Sequence, residues 1–341
     1  MGLSLKDIAK ALNLSKTTVS WVLSGKAVEK NISESTAKKV MEYAQAIGYE
    51  PNLIARSLNT GETNTIGLIL PSISDSFYSA IAKEIESNAR KKGYSLMISS
   101  SESDIDREDE IIRLFKSKSV DGIIIAPTKR SKVEICKLIE EQYPLVTIDR
   151  YFPELQSNSI VINNYESCYL LTKHLINKGS KQIAFITTNS YLTTMSLRKE
   201  GYESAIRESN LTLRSELIGE VNFKGYEKNL YSVLDELFHK EPKIDAFLFS
   251  THILALEAFQ YFFDKGITPA FEMASIHEEP IFKVLSPKLN VARMPIDDIA
   301  KNAVDLLINQ MKKRRNSSSK LLPEELELKQ LMLSTSIEYR S

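Results

Sequence analysis

The chain contains little cysteine and no long apolar segment. Its 341 residues include two cysteines, Cys136 and Cys168, which fall far apart in helix-like stretches. A reduced, cytoplasmic protein fits this pattern better than a disulfide framework does. No apolar run is long enough to cross a bilayer, and the N-terminal segment lacks the apolar core of a signal peptide. We therefore expect a cytoplasmic protein that has no membrane partner.

The sequence also lacks the common catalytic and cofactor-binding motifs. It has no G-x-x-x-x-G-K-[ST], no G-x-G-x-x-G after the first strand, no G-x-S-x-G and no H-E-x-x-H. Its four histidines, at positions 174, 239, 252 and 277, do not have the spacing of metal ligands. We predict no catalytic residue, no metal site and no cofactor, and hence a protein that is not an enzyme.

The charge of the chain is balanced in total but uneven in its distribution. The net charge is zero, yet residues 1–60 hold eight Lys and Arg side chains against five acidic ones, a surplus of three. A basic N-terminal segment on an acidic body indicates a polyanionic partner. With 341 residues, of which 43% are hydrophobic and 26% charged, the chain is predicted to form two or three globular units.

Residues 4–48 have the pattern of three short helices. In "SLKDIAKALNLSKTTVSWVLSG", Ser4 begins a capping box, and Ser15 is placed to cap a second helix that starts at Lys16. A third helix runs from Ser33 to Gly48. Helices of this size predict a DNA-binding helix-turn-helix. The alternative is a small helical bundle that is polar outside.

The only tryptophan of the chain, Trp21, lies on the outward face of the second helix. The residues at apolar spacing, which face the core, are Val19, Val22 and Leu23. The opposite face then contains Thr17, Ser20, Trp21 and Ser24. We expect Trp21 to cover a thymine methyl or a sugar edge of DNA. The alternative is that it folds back over the loop "SGKAVEKN" and shields the small core.

A short apolar segment, "NLIARSL", follows the three helices. Pro51 can open a helix here, and Gly61 begins a flexible joint. Such a helix is too short to be stable alone, so we expect it to form only against a partner.

These residues resemble the N-terminus of the lactose-repressor family of bacterial transcription regulators. The family pattern D-[IV]-A…[LV]-S-x-x-T-V-S-x-[VL]-[LN] is present as "DIAKALNLSKTTVSWVL", and Y-x-P-N-x-x-A-x-x-L is present as "YEPNLIARSL". The resemblance implies that residues 16–23 enter the major groove of operator DNA, that residues 52–58 form a hinge helix in a dimer, and that Leu58 wedges into the minor groove. The implied DNA-contacting residues are Ser4, Leu5, Lys6, Ser15, Lys16, Thr17, Thr18, Ser20, Trp21, Ser24, Thr36, Tyr49, Asn52, Ala55, Arg56 and Leu58.

The sequence departs from the family at two places in this region. Relatives often have Arg at the position of Trp21, where it can bind both acceptors of a guanine, and Trp cannot do so. The loop "SGKAVEKN" is also longer than in well-known members. The operator sequence therefore does not transfer from relatives.

From residue 65 onward, strand-like apolar runs alternate with helix-like runs in two series. This alternation predicts parallel sheets covered on both faces, in two similar subdomains with a cleft between them. The resemblance extends here as a periplasmic-binding-protein-like sensor. The expected fold class is α plus α/β: a helix-turn-helix head and hinge helix, then two doubly wound parallel subdomains. The expected boundaries are 1–49 for the head, 50–63 for the hinge and linker, and 64–341 for the sensor, with a first subdomain of about 64–163 plus 292–322 and a second of about 164–291 plus 323–341.

Effectors of such sensors bind at the carboxyl ends of the parallel strands, between the subdomains. Phe77 and Tyr78 begin the helix after the first strand, where the resemblance implies an aromatic wall for a ring-shaped ligand. Phe77 alone can equally be interpreted as a core side chain. Arg198 in "LRKEGYESA" matches the family's ligand-binding arginine, and Asp149 is retained at the end of "PLVTID".

Two histidines replace acidic residues of sugar-responsive relatives in this cleft. His252 occupies the position of an aspartate that accepts hydroxyl protons, and His277 replaces the first acid of a later pair. Each change exchanges a fixed anion for a titratable ring. We therefore expect a modified or anionic sugar, or a degenerate site, rather than a neutral sugar.

The head, hinge and sensor occur in the order of an allosteric transcription regulator. We expect a homodimeric repressor of carbohydrate genes that binds double-stranded operator DNA with an affinity set by a sugar-like ligand. The alternative from another class is a two-lobed sensor or enzyme with a vestigial DNA head. Binding that falls steeply with salt and prefers one palindromic site separates the two hypotheses.

Overall fold

The computed structural model describes residues 4–49, 57, 61–128, 132–188, 193–222, 225–317 and 327–340. The chain divides into two compact units, Met1–Thr63 and Asn64–Ser341. The described part of the first unit contains three helices, which are α1 (Leu5–Ala11), α2 (Lys16–Leu23) and α3 (Glu34–Ala46).

Serine side chains fix where the helices of the first unit begin. The Ser15 hydroxyl accepts a hydrogen bond from the backbone N–H of Thr18 (3.0 Å), and Ser33 accepts one from that of Thr36 (3.3 Å). The capping box expected at the start of α1 is also present. Each cap satisfies a backbone donor that the first turn of a helix leaves open. The core shared by the three helices centres on Ile8, Val19 and Val40.

The second unit contains two six-stranded sheets, each at the centre of one lobe. The strands of the first lobe are β1 (Thr65–Leu70), β2 (Ser95–Ser100), β3 (Gly122–Ile125), β4 (Leu145–Ile148), β5 (Asn158–Ile162) and β11 (Gln330–Leu333), in the spatial order β11-β5-β4-β3-β1-β2. Those of the second lobe are β6 (Ile183–Thr188), β7 (Ile218–Val221), β8 (Ala246–Phe249), β9 (Glu272–Ile276), β10 (Asn290–Arg293) and β12 (Ser336–Glu338), in the order β12-β10-β9-β8-β6-β7. Only β10 and β12 pair antiparallel among the described strands.

The inner strands, such as β3 and β4, are mostly apolar and buried because helices cover both sides of each sheet. In β3, Ile124 belongs to one buried cluster, and Ile123 and Ile125 belong to another. The described helices of this unit are α4 (Ser76–Lys91), α5 (Ile105–Ser117), α6 (Lys132–Glu140), α7 (Asn164–Asn177), α8 (Thr193–Glu208), α9 (Tyr226–Lys240), α10 (His252–Asp264), α11 (Phe282–Leu285) and α12 (Ile296–Asn316).

The C-terminal segment corrects one expected boundary. Residues 323–341 were expected in the second subdomain, but β11 pairs in parallel with β5 of the first lobe. The physical reason is that Leu331 and Leu333 pack against the core of the first lobe, and that the Lys329 N–H donates to Asn158 Oδ1 (2.9 Å). Only β12 joins the second lobe. β10, which spans the expected return near residue 292, also belongs to the second lobe.

A glycine lets α7 and α8 pack closely. A Cβ atom added at Gly201 in α8 would collide with the carbonyl oxygen of Tyr165 and would lie 3.0 Å from the backbone nitrogen of Tyr169. Both of these residues belong to α7. The close approach holds α8, which carries Arg198, against α7, which carries Asn164.

Candidate functional site

The outward face of α2 is polar and solvent-exposed, with an indole ring at its centre. Lys16, Thr17 and Ser20 are exposed, and 36% of Trp21 is exposed. Part of the ring therefore reaches the surface, where it can contact a partner.

Some of the residues with a predicted DNA contact also stabilise the first unit. Ser15 and Thr18 form the cap of α2, and the Ser24 hydroxyl donates to the carbonyl oxygen of Ser20 (2.7 Å). Leu5 and Tyr49 are half-buried and pack against the core. Thr36, at the cap of α3, is also half-buried. Ser4 and Lys6 are exposed. Asn52, Ala55, Arg56 and Leu58 lie outside the described residues.

The first-lobe wall of the cleft is built at the start of α4 and the end of β4. Asp75 caps α4 by accepting a hydrogen bond from the Phe77 N–H (2.9 Å). The Tyr78 hydroxyl donates to Asp149 Oδ2 (2.8 Å), and Arg150 Nε lies 3.6 Å from the same oxygen. Burial raises the pKa of the Tyr78 hydroxyl well above its usual value, so this group stays a donor at neutral pH.

The second-lobe wall is organised around Arg198, of which only 3% is exposed. Its Nε donates to Asn164 Oδ1 (2.8 Å), and its Nη1 donates to the carbonyl oxygen of Ser250 (2.6 Å). Burial lowers the pKa of the guanidinium, and the nearby Asp149 carboxylate opposes that shift. Two neutral acceptors thus fix the orientation of a buried cation at the carboxyl end of the second sheet.

Two polar contacts between described residues cross from one lobe to the other at this edge. His252 Nε2, at the start of α10, lies 3.2 Å from Asp75 Oδ1 of the first lobe and 3.3 Å from Glu279 Oε1 of its own lobe. The Ser76 hydroxyl of the first lobe donates to Glu279. One imidazole and two carboxylates therefore join the lobes.

The aromatic rings form a continuous group across the same cleft. The ring centroids of Phe77 and Tyr78 are 5.0 Å apart, those of Phe77 and His277 5.2 Å, and those of His277 and His252 4.9 Å. The last two pairs have edge-to-face geometry, which aromatic rings prefer. Phe77 is thus both a buried side chain and a part of the cleft wall.

Two of the titratable groups at the lobe junction, Asp75 and His277, have shifted pKa values. Burial would raise the pKa of Asp75, but the hydrogen bond and charge of His252 outweigh burial and hold it below its usual value. Burial, with the neighbouring charge of His252, lowers the pKa of His277 to about 3. His277 is therefore neutral near pH 7, and its Nδ1 has no hydrogen-bond partner among the described residues.

The structure brings together all six residues expected in the cleft, namely Phe77, Tyr78, Asp149, Arg198, His252 and His277. Sequence reasoning missed their partners Asp75, Ser76, Arg150, Asn164 and Glu279. Asp75 could have been found, because an aspartate directly before a helix is a cap signal. Glu279 had no such signal, since it lies in a loop after β9.

Neither a metal centre nor a membrane span is found in the part of the chain that the structure describes. No group of three or more His, Cys, Asp or Glu side chains there could hold a metal ion. None of the described helices combines the length and the apolar character that crossing a bilayer requires.

Comparisons with known proteins identify the family. Residues 4–52 match the model of bacterial regulatory proteins of the lacI family, and residues 63–322 match that of periplasmic binding proteins and the sugar binding domain of the LacI family. The chain belongs to the LacI family. It is a DNA-binding transcription regulator, with a head and a sensor in the family's order.

Individual relatives of this LacI-family chain are similar over nearly its whole length. It is 29% identical to catabolite control protein A of Priestia megaterium, over 97% of this chain and 99% of that protein. It is 30% identical to the HTH-type transcriptional regulator RegA of Clostridium saccharobutylicum, over 92% of this chain and 94% of that protein. The first of these relatives is named as a control protein and the second as a transcriptional regulator, which does not favour an enzyme with a vestigial head.

The fold is also that of a solved family member. A crystal structure of the lac repressor dimer bound to operator and the anti-inducer ONPF matches with a TM-score of 0.83, over 100% of this chain and 98% of that one. At 18% identity, this match supports the shared fold and no assignment of individual residues.

Proposed function

We propose that this LacI-family chain is a homodimeric repressor that binds a palindromic operator and whose affinity for that operator is set by a small sugar-like ligand. The observation that carries the proposal is the polar, exposed face of α2 around Trp21, held in place by the Ser15 cap. A helix presented in this way can enter the major groove, where base edges are readable. The proposed DNA-contacting set is the one implied by the family resemblance.

The ligand site that we propose is the cleft between the lobes. Arg198 is a buried donor there, Tyr78 and Asp149 form a hydrogen-bonded pair, and Phe77 offers a ring face. Buried donors and acceptors beside an aromatic wall suit a hydroxylated ring, and the matching family model describes a sugar binding domain. A ligand here would touch both lobes, so its binding would favour one lobe arrangement over another.

A dimer is proposed because one helix-turn-helix half-site offers too few contacts for useful selectivity. The second lobe supports the proposal with apolar side chains that are exposed in the single chain. Leu256 of α10 is 37% exposed, and near α11 the exposed fractions are 45% for Ile281, 75% for Val284 and 51% for Leu285. Ile281, Val284 and Leu285 have the i, i+3, i+4 spacing of one helix face, and an exposed apolar face is a surface that another chain can cover.

DNA binding by the full-length chain tests the proposal. A duplex selected by the chain from a random-sequence library should be palindromic, and it should bind far more tightly than unrelated DNA. Binding should weaken steeply as salt is raised, since phosphate contacts release counterions. A chain that selects no sequence, and that binds all duplexes equally at every salt concentration, would be a sensor with a vestigial head.

A further inference from the structure

The loop between α2 and α3 is ordered by its own backbone hydrogen bonds. The Lys26 N–H donates to the carbonyl oxygen of Trp21 (2.8 Å), and the Lys30 N–H donates to that of Lys26 (3.0 Å). The Ile32 N–H then donates to the carbonyl oxygen of Ala27 (2.8 Å). Gly25 permits the first bend, because its φ of +74° suits glycine. The position of Lys30 relative to α2 is therefore fixed by the backbone.

This loop places a lysine over the tryptophan of the recognition helix. Lys30 Nζ lies 5.8 Å from the centroid of the Trp21 ring, within the range of a cation–π interaction. The same ammonium lies 2.9 Å from Glu29 Oε1. The Lys30 side chain is 38% exposed and that of Glu29 is 61% exposed, so water reaches the pair. Such exposed ion pairs are weak and exchange readily for another anion.

DNA that reaches Trp21 must also come close to Lys30. A duplex carries one negative charge for about every 1.7 Å of its axis, so phosphates flank the groove that the indole would enter. The indole can cover a thymine methyl or a sugar edge and has one N–H donor, but it has no positive charge to pair with a phosphate. The Lys30 ammonium supplies the positive charge that the indole lacks, and it lies within one side-chain length of the ring.

We propose that Lys30 and Trp21 form one composite DNA-contacting element, in which Trp21 covers an apolar base or sugar edge and Lys30 binds the adjacent phosphate. This proposal rests on the proposed operator binding. Glu29 competes with the phosphate for Lys30 in the free protein. Lys30 also positions the indole, because an ammonium over one face limits the orientations of the ring.

The test measures affinity against salt for the full-length chain and the duplex that it selects from a random-sequence library. Lys30→Met keeps a long side chain over the ring and removes the charge, so the slope of log affinity against log salt should become shallower by about two, one for each protomer of the proposed dimer. The Glu29→Gln variant should bind the duplex more tightly than the wild type at low salt, because no carboxylate then competes with the phosphate for Lys30. The control is Lys38→Met in α3, which removes a more exposed charge (74% against 38% for Lys30) from another ion pair and should leave the slope unchanged.

A double-mutant cycle separates the composite element from two independent contacts. Lys30→Met should lower the affinity for DNA by a smaller factor in the Trp21→Ala background than in the wild type. The reason is that the effects of substitutions at two coupled residues are not additive. Equal fold losses in both backgrounds, or equal slopes for wild type and Lys30→Met, overturn the proposal. If the wild-type chain selects no duplex, the operator-binding proposal itself fails, and this outcome is distinct from a failure of Lys30 alone.

Discussion

His252 Nε2 lies 3.2 Å from Asp75 Oδ1, and this contact joins the first residue of a second-lobe helix to the cap residue of a first-lobe helix. The same nitrogen lies 3.3 Å from Glu279 Oε1. A ligand that enters between the lobes therefore meets a junction whose charges are already paired with one another. Arg198, Tyr78 and Asp149, the groups that we propose to bind the ligand, lie in the same cleft and are hydrogen-bonded to other residues.

Asp75→Asn should lower the stability of the sensor by about 1–3 kcal/mol at pH 7, because it removes a charge-assisted hydrogen bond in a partly buried site. Asp75 has a lowered pKa in the folded state. Its stabilisation is therefore present above the unfolded value of 3.8 and is lost as the pH falls through the folded value. Denaturant unfolding at several pH values should show the curves of wild type and variant converging below about pH 4.

Asp104→Asn is the matched control for this change. Asp104 also caps a helix, since it accepts a hydrogen bond from the Arg107 N–H (2.9 Å), and asparagine caps as well as aspartate does. Its replacement should cost little stability at any pH. A loss as large as that of Asp75→Asn would assign the effect to capping and contradict the role of His252.

Arg198→Met should abolish the response to ligand and leave the affinity for DNA unchanged. The guanidinium is a buried cation of the cleft, and the proposed DNA-contacting residues belong to the other unit of the chain. The response is measured as the rise in Tm on adding a ligand. A panel of common sugars and sugar phosphates is screened first, and the compound that raises the Tm of the wild type most serves as the probe. Each Tm shift is taken against the variant's own ligand-free Tm, because loss of the Asn164 and Ser250 contacts will itself destabilise.

Lys199→Met provides the control for Arg198. Lys199 is the next residue of α8, and its ammonium pairs with Glu220 at 2.8 Å on the surface. This variant should respond to the probe as the wild type does. An unchanged response in Arg198→Met would mean that the ligand binds elsewhere.

Gly201→Ala should destabilise the second lobe by about 1–3 kcal/mol or more, as overpacking of a closed interface does. The added methyl group has no space between α8 and the backbone of Tyr165. Ser204→Ala, in the same helix and half-buried, should cost much less. Thermal unfolding of the two variants measures the difference, and equal Tm values would show that the two helices separate easily.

Local signals in the sequence predict the helix starts and the strands of this structure. They do not predict which residues far apart in the chain come into contact. The caps at Ser15 and Ser33 and the continuous apolar strands are local features, so they could be recognised from neighbouring residues. The junction of Asp75, His252 and Glu279 joins residues that are far apart in the chain. These residues come together only when the two lobes have folded and packed against each other.

The assignment of the C-terminal strands illustrates the same limit. The segment "LMLSTSIEYR" contains two short strands separated by two residues, and its composition alone does not indicate that they belong to different sheets. The pairing is decided by two sheet edges. β11 pairs with the edge strand β5, and β12 pairs with the edge strand β10. Both edges are products of the complete fold.

His277 should make the stability of the sensor depend on pH between 6.5 and about 3. Burial holds this imidazole neutral in the folded state, so in that range the unfolded chain binds a proton that the folded chain does not. Stability is then complete above pH 6.5 and falls by up to about 1.4 kcal/mol per pH unit on acidification. Denaturant unfolding of His277→Asn should give a flatter profile, whereas His239→Asn, at an exposed position, should keep the wild-type slope. Parallel profiles for His277→Asn and wild type would mean that His277 takes up its proton in the folded cleft.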